Sequence, residues 1–107
     1  MSDVPQVDVR ALAAALSDGA YLLDVRQPDE WLEARVEGGV LIPLATIADH
    51  LTDIPADRPV YVICRSGGRS EQAAAWLRTQ DIDARNVTGG TLAWQAADLA
   101  VSAGPTT

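Results

Sequence analysis

Residues 60–70 of the chain read Val-Tyr-Val-Ile-Cys-Arg-Ser-Gly-Gly-Arg-Ser. The run Val60–Ile63 is apolar, rich in β-branched residues and preceded by a proline, a pattern typical of a buried strand. The next residues are polar and contain two adjacent glycines, which indicates a turn. From Ser70 an alanine-rich segment places apolar residues at helical spacing. The stretch therefore predicts a strand, a tight turn and a helix, the repeating unit of α/β folds.

Cys64, the only cysteine, follows this strand directly. In open α/β sheets, binding sites lie at the carboxyl ends of the strands. The turn and the start of the helix would direct backbone N–H groups at the sulfur, and Arg65 and Arg69 would add positive charge, so a thiolate is favoured over a thiol. The alternative is that Cys64 is a small core residue beside an ordinary turn. Because two arginines and two glycines are poor material for a core, we expect a reactive thiol in an anion-binding cradle.

The segment Cys64–Ser70 resembles the active-site loop of single-domain rhodanese-like sulfurtransferases. Three further segments resemble motifs of that family and occur in the same order: Leu22-Leu23-Asp24-Val25-Arg26 followed by Glu30-Trp31, Gly38-Gly39-Val40-Leu41-Ile42-Pro43, and Gly89-Gly90-Thr91-Leu92-Ala93-Trp94. The resemblance covers the chain from about Val4 to Val101. It implies the rhodanese-like α/β fold, with a mainly parallel sheet of about five strands and helices on both faces.

The resemblance also implies an activity. Cys64 would take a sulfane sulfur from an anionic donor such as thiosulfate, hold it as a persulfide and pass it to cyanide or a thiol. The residues expected to hold the donor and the persulfide are Arg65, Ser66, Gly67, Gly68, Arg69 and Ser70. Arg69 is expected to bind the anionic end of the donor. Arg65 either does the same or braces the loop through an acid, and Ser70 is expected to cap the helix rather than donate to the sulfur.

Two other functions are considered. A cysteine phosphatase or arsenate reductase would need five residues between cysteine and arginine, whereas four separate Cys64 from Arg69. Ile63 also stands where such phosphatases often have a histidine. A sulfur-carrier or regulatory binding module with a dedicated protein partner is compatible with the same residues, because a fold does not determine a function.

Several residues outside the loop are assigned structural roles. Asp24 and Arg26 are expected to be scaffolding, since in the family an arginine at position 26 tends to pair with the acid at Glu30. Trp31 is predicted to be a core anchor. Arg35 stands where the family usually has a histidine and is predicted to be a solvated surface residue. His50, the only histidine, is also predicted to lie on the surface.

Composition limits the possible partners. The 107 residues indicate one domain, with a core from about 4 to 101, and 48% are apolar. The net charge is −7, with eight arginines and no lysine, which disfavours binding to nucleic acid or membrane surfaces. One cysteine and one histidine allow no internal disulfide and disfavour a metal site, so we expect no cofactor. A free catalytic thiol and the lack of a visible signal peptide favour the cytoplasm.

The remaining pattern predicts the other elements. The expected strands cover residues 4–7 at a sheet edge, 20–25, 40–42 and 84–87. The first expected helix begins after an N-cap at Asp8 and ends at Gly19. The other expected helices cover residues 29–34, 44–51 and 92–99. Asp81 replaces a helix-ending glycine of the family and is expected to adopt the left-handed conformation. Residues 104–107 are expected to be a frayed tail.

Overall fold

The computed structural model describes residues 3–105, which form an α/β fold around a parallel five-stranded sheet. The strands in chain order are β1 (Gln6–Val7), β2 (Tyr21–Asp24), β3 (Arg35–Val36), β4 (Gly39–Leu41), β5 (Val60–Ile63), β6 (Ala84–Val87) and β7 (Val101–Ser102). The main sheet has the order β1-β6-β5-β2-β4, so β5 is its central strand and β1 lies at an edge, as predicted.

Four α-helices and one 3-10 segment connect the strands. They are α1 (Val9–Ser17), α2 (Pro28–Glu33), the 3-10 segment (Leu44–Asp53), α3 (Gly68–Thr79) and α4 (Gly90–Ala96). The 3-10 segment replaces the predicted helix at 44–51 and is interrupted at His50, where φ is −116° and ψ is 16°. The Asp8 carboxylate caps α1 by accepting a hydrogen bond from the Ala11 N–H at 2.8 Å. Asp81 has φ +64°, which confirms the left-handed conformation expected there.

The sheet is covered on both faces, and β5 contributes to both cores. Val60 and Val62 pack in a cluster with residues of α3 and the 3-10 segment. Ile63 packs on the other side with residues of α1 and α4, including the buried Trp94. Successive side chains of a strand point to opposite faces, so a continuous apolar run is needed for a strand that is buried on both. The apolar run of β5 therefore accounts for its central position.

A two-stranded antiparallel sheet, β3 paired with β7, was not predicted from the sequence. Arg35 in β3 is 6% exposed, and its guanidinium donates to the carbonyl oxygens of Trp31 at 3.0 Å and Gly104 at 2.7 Å. It also lies 5.0 Å from the centroid of the Trp31 ring. The prediction of a solvated Arg35 is therefore wrong.

Two further predictions fail in the same region. Gly104 is not frayed, because its N–H donates to the Leu32 carbonyl at 2.7 Å; residues 106–107 lie outside the described part of the chain. Trp31 is half-buried on α2, a helix with no buried residue, so it is not a core anchor. Its ring instead covers the Arg35 guanidinium at the surface. Within residues 3–105, no helix is long and apolar enough to cross a membrane.

Candidate active site

Cys64 lies in the loop between β5 and α3, at the carboxyl end of the central strand. The backbone turns sharply at Gly67, whose φ is +112°, a conformation that other residues rarely adopt. This turn directs the Gly67 N–H at the Cys64 sulfur, at a nitrogen–sulfur distance of 3.1 Å. The chain then enters α3 at Gly68, so the sulfur also lies near the positive end of the α3 dipole.

The surroundings of Cys64 favour the thiolate. The residue is only 1% exposed, and burial alone raises the pKa of its thiol. Hydrogen bonds from the Ser70 hydroxyl and from the backbone N–H groups of Ser70, Gly67 and Ser66 outweigh this effect and lower the pKa below its ordinary value. The structure therefore brings Ser66, Gly67 and Ser70 together around the sulfur, and their role in holding a donor or a persulfide stays a prediction.

Ser70 does not cap α3. The residue is fully buried, and the cap position belongs to Gly67, which has no side chain to offer. The Ser70 oxygen lies 3.3 Å from the Cys64 sulfur, 3.2 Å from the Gly67 carbonyl oxygen and 2.6 Å from Asn86 Oδ1. The expectation of a capping role is therefore wrong, and the alternative contact with the sulfur is the one observed.

The start of α4 supports the loop from behind. The N–H groups of Thr91 and Leu92 donate to the carbonyl oxygens of Cys64 at 2.9 Å and Arg65 at 3.1 Å. Gly90 packs so closely that a Cβ atom there would lie 2.3 Å from the Cys64 carbonyl oxygen. These two hydrogen bonds hold the peptide groups on either side of Arg65, directly after the residue that carries the thiol.

The Arg69 guanidinium is held by a carboxylate. Its two terminal nitrogens donate to the two oxygens of Glu30 at 2.7 and 2.8 Å. These hydrogen bonds, helped by one from the Gln27 N–H, lower the pKa of Glu30 to about 2 although partial burial opposes them. The charge of Arg69 is thus largely neutralised before any donor arrives.

The expected pairing of Arg26 with the Glu30 carboxylate is not formed. Arg26 instead forms a buried ion pair with Asp24, with nitrogen and oxygen 2.8 Å apart. Its remaining donors reach the backbone carbonyls of Glu30 and Ala34. Asp24 and Arg26 are 1% and 4% exposed, so they brace the backbone, in agreement with the scaffolding role predicted for them.

Arg65 is the exposed cation of the loop. Within the described residues 3–105, its guanidinium makes neither a hydrogen bond nor an ion pair, so no acid braces the loop through it. It lines a polar groove together with Arg26, Glu30, Glu33 and the start of α4. Of the two roles considered for Arg65, bracing is excluded and contact with a donor stays a prediction.

Two residues outside the loop complete the comparison with the sequence. His50 is exposed beside Asp53, 3.2 Å away, and the surface position predicted for it is confirmed.

Asn86 on β6 is 3% exposed and contacts Ser70, yet the sequence analysis did not single it out. The available signal was an amide inside the expected strand 84–87, since an amide buried in a strand needs hydrogen-bond partners. In the part of the chain that the structure describes, no group of three His, Cys, Asp or Glu side chains could hold a metal ion.

Comparisons with known proteins assign the chain to a family. The family model of the rhodanese-like domain matches residues 8–97. A sulfurtransferase of Allochromatium vinosum is 34% identical over 103 residues, which cover 94% of this chain and 96% of that protein. A putative sulfur carrier protein of Bacillus subtilis is 30% identical over 96 residues, which cover 87% of this chain and about half, 52%, of that protein.

The fold is shared with solved structures as well. A rhodanese-like domain protein from Staphylococcus aureus superposes with a TM-score of 0.81 at 30% identity, covering 85% of this chain and 91% of that one. Residues 8–97, which the family model matches, contain the whole loop around Cys64, the strand β5 that precedes it and the neighbouring strands β2 and β6. The chain therefore belongs to the rhodanese-like domain family, to which sulfurtransferases similar to it also belong.

Proposed function

We propose that the protein is a rhodanese-type sulfurtransferase that carries sulfur as a persulfide on Cys64. The observation that carries the proposal is the position of the Cys64 sulfur, 3.1 Å from the Gly67 nitrogen, with the thiol pKa held below its ordinary value. A thiolate is the nucleophile that sulfur transfer needs, and a cradle of N–H groups suits both a thiolate and the terminal anionic sulfur of a persulfide.

The reaction has two half-reactions. The Cys64 thiolate attacks the outer sulfur of thiosulfate; a new S–S bond forms, the bond between the two donor sulfurs breaks, and sulfite leaves with the bonding electron pair. Cyanide or a thiolate then attacks the terminal sulfur of the persulfide, and the Cys64 thiolate leaves with the electrons of the broken S–S bond. Neither half-reaction needs a cofactor or an external oxidant, and the two together predict ping-pong kinetics.

The two loop arginines have different roles in this proposal. Arg65 attracts and binds the anionic end of the donor, because its guanidinium is exposed and not bound to a carboxylate of residues 3–105. Arg69 was the residue first expected to do this, but its bidentate pair with Glu30 argues for a loop-supporting role. The backbone of Ser66, Gly67 and Gly68, with Ser70, holds the transferred sulfur.

The test is the intact mass of the protein after incubation with thiosulfate, followed by cyanide. We expect the mass to rise by one sulfur atom, cyanide to remove that sulfur as thiocyanate, and a Cys64→Ser variant to show no gain. A gain that persists in the Cys64→Ser variant would place the sulfur elsewhere and refute the proposal. If thiosulfate does not raise the mass but a protein persulfide transfers its sulfur to Cys64, the role of Cys64 stands and the donor is a protein persulfide instead of thiosulfate.

A second candidate is a sulfur carrier or regulatory module that serves a dedicated protein partner. The similarity to a putative sulfur carrier protein supports it. Steady-state kinetics with thiosulfate and cyanide separate the two functions, since a carrier would form the adduct without multiple turnovers. A cysteine phosphatase is disfavoured because the loop has four residues between Cys64 and Arg69, and a phosphatase assay with an aryl phosphate should give no product.

A further inference from the structure

A continuous chain of hydrogen bonds leads from the Cys64 sulfur to the surface. Ser70 Oγ lies 3.3 Å from the sulfur and 2.6 Å from Asn86 Oδ1. Asn86 Nδ2 donates to Gln6 Oε1 at 2.8 Å, and Gln6 Nε2 donates to a Glu71 carboxylate oxygen and, at 3.2 Å, to the Val4 carbonyl. Ser70 and Asn86 are buried, whereas Gln6 is exposed.

The far end of the chain fixes the direction of every bond in it. A carboxylate and a backbone carbonyl can only accept, so the Gln6 amide nitrogen must face Glu71 and Val4. The Gln6 oxygen therefore faces Asn86, and the Asn86 amide presents its nitrogen to Gln6 and its oxygen to Ser70. An amide oxygen cannot donate, so the bond between Ser70 and Asn86 requires the single hydroxyl proton of Ser70. The Gly67 carbonyl oxygen can also only accept, but at 3.2 Å it lies farther from the hydroxyl than Asn86 Oδ1 at 2.6 Å.

We propose that Asn86 is a positioning residue that acts on Cys64 through Ser70, by competing with the sulfur for the one proton of the Ser70 hydroxyl. The inference rests on the proposed role of Cys64 as the nucleophile. With a neutral thiol, Ser70 donates to Asn86, and a lone pair of its oxygen accepts from the Cys64 S–H. With a thiolate or a persulfide, Ser70 turns its proton to the anionic sulfur and gives up the bond to Asn86.

This competition has a consequence for the reaction. A hydrogen bond to a charged acceptor is stronger than one to a neutral acceptor, so Ser70 favours the thiolate. Asn86 reduces that preference, because the bond that Ser70 must break is its shortest, at 2.6 Å. The amide therefore makes the thiolate less stable and more nucleophilic than an unrestrained Ser70 would, which suits a sulfur that must be taken up and then released.

The charged groups around the thiol are distinct from this chain, apart from its terminal Glu71. They are Asp24 at the end of β2, Arg26 shortly after it, Glu30 on α2, Arg65 in the loop and Arg69 on α3. Substituting Asn86, Gln6 or Ser70 with neutral residues leaves all of these charges in place. A change in the titration of Cys64 in such variants therefore reports on hydrogen bonds and not on altered charge.

The experiment is the pH dependence of alkylation of Cys64 by iodoacetamide, in which the thiolate sulfur displaces iodide. Asn86→Leu keeps the shape of the side chain and removes its acceptor. We expect the midpoint of the pH–rate profile to move to lower pH, with alkylation below the midpoint roughly threefold faster after the lower nucleophilicity of a stabilised thiolate is included. Ser70→Ala should move the midpoint to higher pH.

The double variant decides the mechanism. In the Ser70→Ala background, Asn86→Leu should have no further effect on the midpoint, because the proton for which it competes is gone. An equal shift with and without the Ser70 hydroxyl, or no shift in either, would overturn the proposal. Alkylation does not require sulfur transfer, so this result is independent of whether thiosulfate is a donor.

Two further variants guard against a folding defect. Gln6→Leu changes an exposed position and leaves the Asn86 amide free to turn its nitrogen towards Ser70. The midpoint of the pH–rate profile should again fall to lower pH. An unchanged midpoint would refute the fixed order of donors and acceptors in the hydrogen-bond chain. Thr88→Val is the matched control, since the exposed Thr88 hydroxyl bonds the Val7 carbonyl across the same pair of strands without reaching the sulfur. It should leave the profile unchanged.

Discussion

At the scale of single residues, the active loop has two arginines with different electrostatic surroundings. Arg69 faces both oxygens of Glu30, whereas Arg65 is exposed and faces no carboxylate of residues 3–105 within ion-pair distance. A guanidinium already paired with a carboxylate attracts a second anion less strongly than an unpaired one, because the carboxylate repels that anion. Attraction of an anionic donor should therefore depend on Arg65.

This difference predicts that Arg65→Gln raises KM for thiosulfate about tenfold, with a smaller effect on kcat, because one charge contact worth about 1.4 kcal/mol is lost. Steady-state kinetics with thiosulfate and cyanide measure it. Arg58→Gln is the control, since it makes the same charge change at an exposed site before the amino end of β5. Equal increases of KM in both variants would show that only net charge matters and would contradict the assignment.

Glu30 predicts a pH dependence of stability. Its pKa falls from 4.5 to about 2 in the folded state, so the unfolded chain binds a proton first as the pH drops. The stabilisation is complete above about pH 5.5 and is lost as the pH falls through 4.5 towards 2. Glu30→Gln should therefore lower the free energy of unfolding at pH 7 by about 1 to 2 kcal/mol, after allowance for solvent screening, and by much less at pH 3.

Urea denaturation of both proteins at the two pH values checks this. Gln retains a carbonyl oxygen that can accept from the Gln27 N–H, so the variant removes the charge and one acceptor for Arg69 but keeps the contact with the helix start. Glu33→Gln, on the same helix and exposed, is the matched control and should change the free energy of unfolding little at either pH. If the two variants lost stability equally, the Arg69–Glu30 pair would not be the cause.

At the scale of elements, the start of α4 acts as a support for the loop that precedes α3. Gly90, at φ +58°, brings the α4 backbone against the carbonyls of Cys64 and Arg65, and two N–H groups of α4 bond those same carbonyls. The loop is thus held between two helix starts, one directed at the sulfur and the other at the peptide groups behind it. Displacing α4 should move the thiol.

Gly90→Ala tests this arrangement. An added Cβ would lie 2.3 Å from the Cys64 carbonyl oxygen, and backbone cannot yield as a flexible side chain can. We expect a loss of about 3 kcal/mol in unfolding free energy and a fall in kcat/KM of at least about a hundredfold. Gly38→Ala is the control, with φ +90° but no atom within 4 Å of the added carbon; it should cost about 1 to 2 kcal/mol and leave kcat/KM intact. Full activity of Gly90→Ala would show that the loop does not depend on α4.

At the scale of the whole molecule, the sequence predicts local secondary structure but not the contacts between residues that are far apart in sequence. The strand, turn and helix around Cys64 were predicted because apolar periodicity and glycines lie within a few residues of one another. The Arg69–Glu30 pair joins residues 39 apart, and the Arg35–Gly104 bond joins residues 69 apart. No local pattern encodes such pairs. The strands β3 and β7 have only two residues each, so they are too short to show the alternation of apolar and polar residues that predicts a strand.

Arg35 joins parts of the chain that are far apart in sequence, namely α2, β3 and the segment after β7. Its buried guanidinium supplies the hydrogens for the Trp31 and Gly104 carbonyls and stacks on the Trp31 ring. Replacing it by methionine keeps an apolar side chain of similar length and removes every donor, so both carbonyls lose their partner.

Arg35→Met should therefore lower the free energy of unfolding by about 2 to 4 kcal/mol and speed amide hydrogen exchange in residues 101–104. The value of kcat/KM for thiosulfate should change little, since none of these contacts reaches Cys64. Urea denaturation and amide exchange by mass spectrometry measure the two effects. Arg10→Met removes the same charge from an exposed position on α1 and should stay within about 0.5 kcal/mol of the parent protein. Faster exchange at Cys64–Ser70, or a loss of stability in Arg10→Met as large as in Arg35→Met, would show that the arginine does not act by tying the end of the fold to α2.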